Sequence, residues 1–302
     1  MKSQNLPKLC LFILLSLLIS QGCKPKGDTI RIATKPVTEQ FILGEMLRLL
    51  IEENTDLSVK ITKGIGGGTS NIHPAMLEGE FDLYPEYTGT GWLVVLKKDT
   101  LLPADKLYEK LCREYRQKYH LVWTPPYGFN NTYSLAINQE KAKEYGLKTF
   151  SDLARFPGQF TFGAEYDFFE IHKGYKELCQ YYNLKFKKTR DIDIGLKYEA
   201  IKSGKVDVMT IFTTDGQLAD ANLVVLEDDK HFFPAYYCAT VVREETLEKY
   251  PELKKILHKM SNICTDQEMA KLNYQVDMEG IPERTVAKNF LNKKGLLAST
   301  DE

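Results

Sequence analysis

Four aromatic side chains stand where the sequence pattern places strand ends beside turn residues. Tyr87 sits in Tyr84-Pro85-Glu86-Tyr87-Thr88-Gly89-Thr90-Gly91, and Tyr133 closes Tyr127-Gly128-Phe129-Asn130-Asn131-Thr132-Tyr133. Phe212 precedes Thr213-Thr214-Asp215-Gly216, and Tyr236 follows Phe232-Phe233-Pro234-Ala235. Any one ring among 17 tyrosines and 15 phenylalanines is ordinarily core or surface, but rings grouped at strand ends offer π faces to a ligand. Carboxylates form the rival set. Glu86, Glu165 and Asp167 can be arranged as paired acid and base, which would make a cleft enzyme. Against that reading, no HxxE-type metal pair, nucleophile elbow or phosphate-binding loop is present, and Gly66-Gly67-Gly68 lacks a following Gly-Lys-Ser/Thr. No catalytic residue, metal site or cofactor is assigned. His73, beside Pro74, reads as a helix-start residue rather than a ligand contact.

The elements that must position these rings alternate between short β-like runs and amphipathic helices. Residues 30–34 read as a strand, followed by a helix with Leu43, Met46, Leu47, Leu50 and Ile51 on one face, the i, i+3, i+4, i+7, i+8 spacing of a buried stripe. Residues 58–62 alternate as a strand, and Thr69 or Ser70 can cap a helix running to about residue 78. A strand over 81–84 leads into the polar, aromatic turn 85–91, and a helix covers 104–119. Residues 124–128, with two prolines and a glycine, break the pattern as a hinge. A second series follows: strands at 133–137, 160–164 and 206–212, helices at about 168–182 and 196–202, and a return through 222–226 and 232–234. Helical stretches near 244–263, 266–275 and 282–292 close the chain. Two βα lobes with a double crossover and a helical tail predict an α/β clamshell.

At the N-terminus Lys2 and Lys8 precede an apolar run over 9–19, too short for the roughly 20 residues a membrane-spanning helix needs. Residues 1–22 read as a secretion signal. Ser20-Gln21-Gly22-Cys23 resembles a bacterial lipobox, which makes Cys23 the lipidated first residue and 23–27 a tether, although Ser20 replaces the usual larger aliphatic residue. The expected place is outside the cytoplasmic membrane, anchored by lipid at the cell surface or in the periplasm. A formal net charge of −1 leaves no nucleic-acid footprint, and 43% hydrophobic residues fill two cores. Cys112, Cys179, Cys238 and Cys264 are widely spaced, and their pairing is left open between disulfides and buried thiols.

Over nearly all of the chain past the leader, the sequence resembles the glycine betaine, carnitine and choline-binding lipoproteins of Opu-type ABC importers. The carrying segments are 38–40, 82–91, 127–133, 214–216 and 228–234, in that order. The resemblance implies a two-lobed type II periplasmic-binding-protein clamshell, with lobe I from 28–124 plus 226–302 and lobe II from 125–225. It implies a quaternary ammonium ligand, no catalysis, separate permease and ATPase partners, and action as a monomer. It also implies that Tyr87 and Tyr236 meet Tyr133 and Phe212 around the ligand cation. The chemistry agrees, because a quaternary ammonium has no N–H donor and is held by π faces at roughly 0.5–2 kcal/mol each. Phe212 departs from the family's tyrosine, and Lys35 from a neutral polar residue; a lysine there can pair with a ligand carboxylate, joined by Thr38, Thr90 and helix-start N–H groups. Segments 64–74 and 163–170 look more like the branch that binds ergothioneine, the trimethyl betaine of thiohistidine, whose ring N–H groups Glu165, Asp167 or Glu170 can accept. A sensor or adhesin on the cell surface stays open beside the importer reading.

Overall fold

The computed structural model describes residues 28–298 other than 99, 101, 171, 172, 194, 195 and 220, and the backbone alone at Asp167 and Ala219. The signal segment and Cys23 lie outside the described residues. Two five-stranded sheets carry the fold, each mixed and each flanked by helices, an α/β arrangement in two lobes. The first sheet runs β2 (Ser58–Thr62), β1 (Thr29–Ala33), β3 (Leu83–Tyr87), β10 (Cys238–Arg243), β4 (Leu121–Trp123). The second runs β7 (Lys188–Asp191), β6 (Thr161–Ala164), β8 (Val208–Phe212), β5 (Tyr133–Asn138), β9 (Leu223–Leu226).

Each sheet is covered by the apolar stripes that the sequence spacing predicts. The helix Thr38–Asn54 buries Leu43, Met46, Leu47, Leu50 and Ile51 in one core with Tyr127, Phe129 and the tail helices. A separate core under the second sheet gathers Phe150, Phe162, Phe168, Leu178, Tyr182 and Phe233. The chain crosses between sheets twice, and the two crossings are bonded to one another. Tyr127 N–H reaches Cys238 O at 2.8 Å and Asn131 N–H reaches Tyr236 O at 3.2 Å; Tyr236 N–H reaches Asn130 Oδ1 at 2.7 Å.

Several elements differ from the sequence reading. Residues expected as the turn 85–91 begin as strand, because all five residues of Leu83–Tyr87 are buried, and helix starts only at Thr88. Pro85 fits because pairing with β1 stops at Leu83. The expected helix 168–182 is two helices, Tyr166–Glu170 and Tyr175–Tyr182, interrupted where Lys173 takes φ 64°. The stretch 244–263 likewise splits into Glu244–Lys249 and Glu252–His258, parted by Pro251. Gly68, not Thr69 or Ser70, occupies the N-cap of Thr69–Leu77, and Thr69 is engaged elsewhere. The four cysteines among the described residues are free thiols.

Candidate functional site

Strand register brings the rings together. β5 and β8 are antiparallel with Tyr133 opposite Phe212. Directly opposed residues leave the same face of a sheet, and the two ring centroids lie 4.5 Å apart. Phe168 and Phe233 back Tyr133, at centroid separations of 5.2 and 5.7 Å. In the first sheet Tyr87 lies opposite Cys238, and Tyr236, two residues upstream, lies on Gly89. A Cβ at Gly89 would fall 2.5 Å from Tyr236 Cε1, so the ring rests where only a glycine leaves room. Tyr87, Tyr133, Phe212 and Tyr236 all line one cleft of about 720 Å³. Burial pushes the Tyr87 hydroxyl well above its ordinary range and the Tyr236 hydroxyl up to about 12. Both rings therefore stay neutral.

Lys35, Thr38 and Thr90 line the same cleft. Lys35 is not a free cation, however. Its ammonium pairs with Glu86, a fully buried carboxylate that also accepts from Thr69 Oγ1 at 2.6 Å and from the Tyr87 N–H at 2.7 Å. The ammonium lies 4.7 Å from the Tyr87 ring centroid. Thr38 opens its helix and donates to Asp277 Oδ1 at 2.6 Å. Val37, the N-cap, makes no side-chain cap bond, and while the Gln40 N–H donates to Val37 O at 3.0 Å, the N–H groups of Thr38 and Glu39 at the helix start face the side of the cleft that suits an anion.

Glu165 is not among the residues that line this cleft. It is bound to Lys197 Nζ at 3.1 Å and accepts from Thr210 Oγ1 at 2.8 Å. Lys197, almost fully buried, also pairs with Asp215 at 2.9 Å and lies 5.4 Å from the Phe212 ring centroid. Glu165 thus acts one side chain behind the cleft wall. The side chain of Asp167 lies outside the described residues. His73 is buried against Tyr115 and Tyr119, and burial lowers its pKa.

Glu39, Asn131, Asp215, Asn273 and Asp277 are among the cleft residues to which the sequence analysis gives no role. Glu39 is 3% exposed. It accepts from the Tyr87 hydroxyl at 2.5 Å and from Asn131 Nδ2 at 3.0 Å. Burial raises its pKa, with those hydrogen bonds opposing. The one signal that could have found Asn273 and Asp277 is their spacing of four along one helix, which puts both on a single face.

The description "Substrate binding domain of ABC-type glycine betaine transport system", the OpuAC family, matches residues 28–293. The chain belongs to this family. OpuAC members are substrate-binding domains rather than enzymes, so the cleft is read as a binding site, and its carboxylates as structural or ligand-facing groups. Among curated relatives, the "Ergothioneine transport permease/ergothioneine binding protein EgtU" of Helicobacter pylori strain G27 is 46% identical over 265 residues, 88% of this chain. The chain spans only 47% of that protein's length. The "Carnitine transport binding protein OpuCC" of Listeria monocytogenes is 35% identical over 301 residues, 97% of both chains. A crystal structure of a "glycine betaine/carnitine/choline ABC transporter" superposes with a TM-score of 0.84 at 32% identity, covering 89% of this chain and 98% of the other. Among the described residues of this OpuAC chain, no helix is long and apolar enough to cross a membrane.

Proposed function

We propose that the protein is the extracytoplasmic solute-capturing component of an ABC importer, and that its solute is a trimethylammonium betaine, with ergothioneine preferred over glycine betaine, carnitine and choline. The observation that carries this reading is the set of four rings, two from each side of the double crossover, lining one cleft. Such a cage selects a cation without N–H donors, because π faces attract charge from any direction while hydrogen bonds have nothing to hold. The open helix start at Thr38 and the neighbouring Lys35 suit a ligand carboxylate.

Acceptors distinguish ergothioneine within this class. Asp215 and Asp277 line the cleft, and the buried carbonyl oxygen of Asn131 has no partner among the described residues. A ring carrying N–H donors matches these groups, whereas glycine betaine offers no donor at all. The 46% identity to a protein named for ergothioneine points the same way.

Capture would be followed by delivery to a permease and ATPase, with Cys23 as the lipid anchor and the protein acting as a monomer. Lobe I would comprise 28–124 plus 226–302 and lobe II 125–225, consistent with a chain that leaves the first sheet after β4 and re-enters it at β10. Calorimetric titration with ergothioneine, glycine betaine, carnitine and choline in parallel tests the reading. Tight one-to-one binding of ergothioneine, with the others weaker, is expected. Preference for betaine or choline would overturn the ligand assignment, and no heat from any of the four would overturn the cage.

A further inference from the structure

Beyond the cage itself, one buried hydrogen-bond chain runs from a cage ring to the opposite lobe. Tyr87, at the end of β3, donates to Glu39 Oε1 at 2.5 Å. The other oxygen of Glu39 lies 3.4 Å from Asn273 Nδ2, and that amide also donates to Thr214 O at 2.8 Å. Thr214 stands just past β8, in the second sheet's half of the molecule. Asn131, in the outward crossover, completes the set by donating to Glu39 at 3.0 Å. Thr214 is 2% exposed and Asn273 6%, so water does not compete for these bonds.

A second observation lies one turn away. A Cβ on Gly216 would meet Tyr274 N at 2.7 Å and Asn273 C at 3.0 Å, both backbone atoms. The turn after β8 therefore sits directly on the backbone of the helix Asp266–Asp277. The close approach, not a left-handed φ, is what requires glycine there.

We propose that Glu39 and Asn273 are positioning residues that couple the Tyr87 ring to the seating of the Gly216 turn on the helix Asp266–Asp277, so that seating the second lobe fixes the cage and slows release of the bound solute. The solute part rests on the function proposed above, whereas the lobe contact stands independently of it. Contacts that hold the lobes over a bound solute act on dissociation rather than association.

The test compares the parent protein with Asn273→Ala, Asn273→Asp and Gly216→Ala, using ergothioneine as the probe in stopped-flow binding and small-angle scattering with and without it. Asn273→Asp keeps the shape of the side chain and loses the N–H donor. Each variant should associate within about twofold of the parent and dissociate roughly tenfold faster, the effect of one buried hydrogen bond. Each should also show a larger radius of gyration than the parent, both ligand-free and bound. Dissociation unchanged in all three, or affinity lost only in step with ligand-free stability, would overturn the coupling. Should the parent not bind ergothioneine, the proposed ligand falls, and the radius of gyration still decides the seat. Gly216→Ala enlarges the ligand-free radius if the turn holds the lobes together; equal radii overturn the inference. Asn273→Asp gives the same comparison if Gly216→Ala fails to fold.

Discussion

Gly89→Ala should weaken binding by displacing an aromatic ring that the mutated residue merely supports. The added Cβ would lie 2.5 Å from Tyr236 Cε1 and 2.7 Å from both Cδ1 and Cζ. Carbon atoms prefer about 3.5–4.0 Å, so the ring must retreat by about 1 Å or tilt away from the cleft. A lost or misaligned cation–π face costs roughly 0.5–2 kcal/mol, which converts to a dissociation constant about 2- to 30-fold larger. Calorimetry with ergothioneine and choline measures this for Gly89→Ala, Tyr236→Ala and the double variant. If the glycine acts through the ring, the double variant loses no more than Tyr236→Ala alone, a non-additivity expected of groups in contact. Parent-like affinity in Gly89→Ala, or full additivity in the double variant, would refute the reasoning.

Three further outcomes follow from the buried charges. Lys35→Ala leaves the fully buried Glu86 without its cation, so stability should fall by about 3–5 kcal/mol, with much of it restored in Lys35→Ala/Glu86→Gln; denaturant midpoints check both, and an unchanged single variant would show that the pair is dispensable. Burial raises the Glu39 carboxyl above its ordinary 4.5, so the native state holds that proton more tightly than the unfolded chain. The parent's advantage from that proton is complete below about 4.5 and lost as pH rises through the native value. Glu39→Gln should therefore gain stability relative to the parent over that rise, and a pH-independent difference would contradict this. His73 behaves oppositely, its pKa lowered from 6.5 by burial. The parent should lose stability as pH falls below about 6.5 through the native value, because the unfolded imidazole takes the proton first; His73→Phe should lack that limb in urea titrations at pH 5–8.

How far the sequence was legible depended on whether a signal was local. The helix 104–119 was readable because its apolar face, with Leu107, Leu111 and Tyr115, lies within one window, and the structure places it at Ala104–Tyr119. β7 was not, since Lys188-Thr189-Arg190-Asp191 is an exposed edge strand with no apolar alternation. β10 was also unread: Cys238–Arg243 is buried from Cys238 to Val242, and its position between β3 and β4 is decided by partners more than a hundred residues away. The four rings were placed in one site by family resemblance, with their strand-end positions as support. Lys35 was legible as a cleft residue but not as half of an ion pair, because Glu86 reaches it only through the fold. The ion pair of Glu165 was unreadable for the same reason: nothing local to a strand-to-helix junction announces Lys197.

The central place of β10 in the first sheet bears on the order in which the chain can fold. Strands β5 to β9 occupy one uninterrupted stretch, Tyr133 to Leu226, so the second sheet can be completed while the polypeptide is still being made. The first sheet cannot. Among the described residues its edge strand β4 pairs only with β10, which is the last strand to emerge. Until Cys238–Arg243 arrives, β3 and β4 present open edges to other chains, a hazard for a polypeptide in transit. Proteolysis of a chain ended at Leu226 should accordingly protect the second sheet and leave the first open to cleavage.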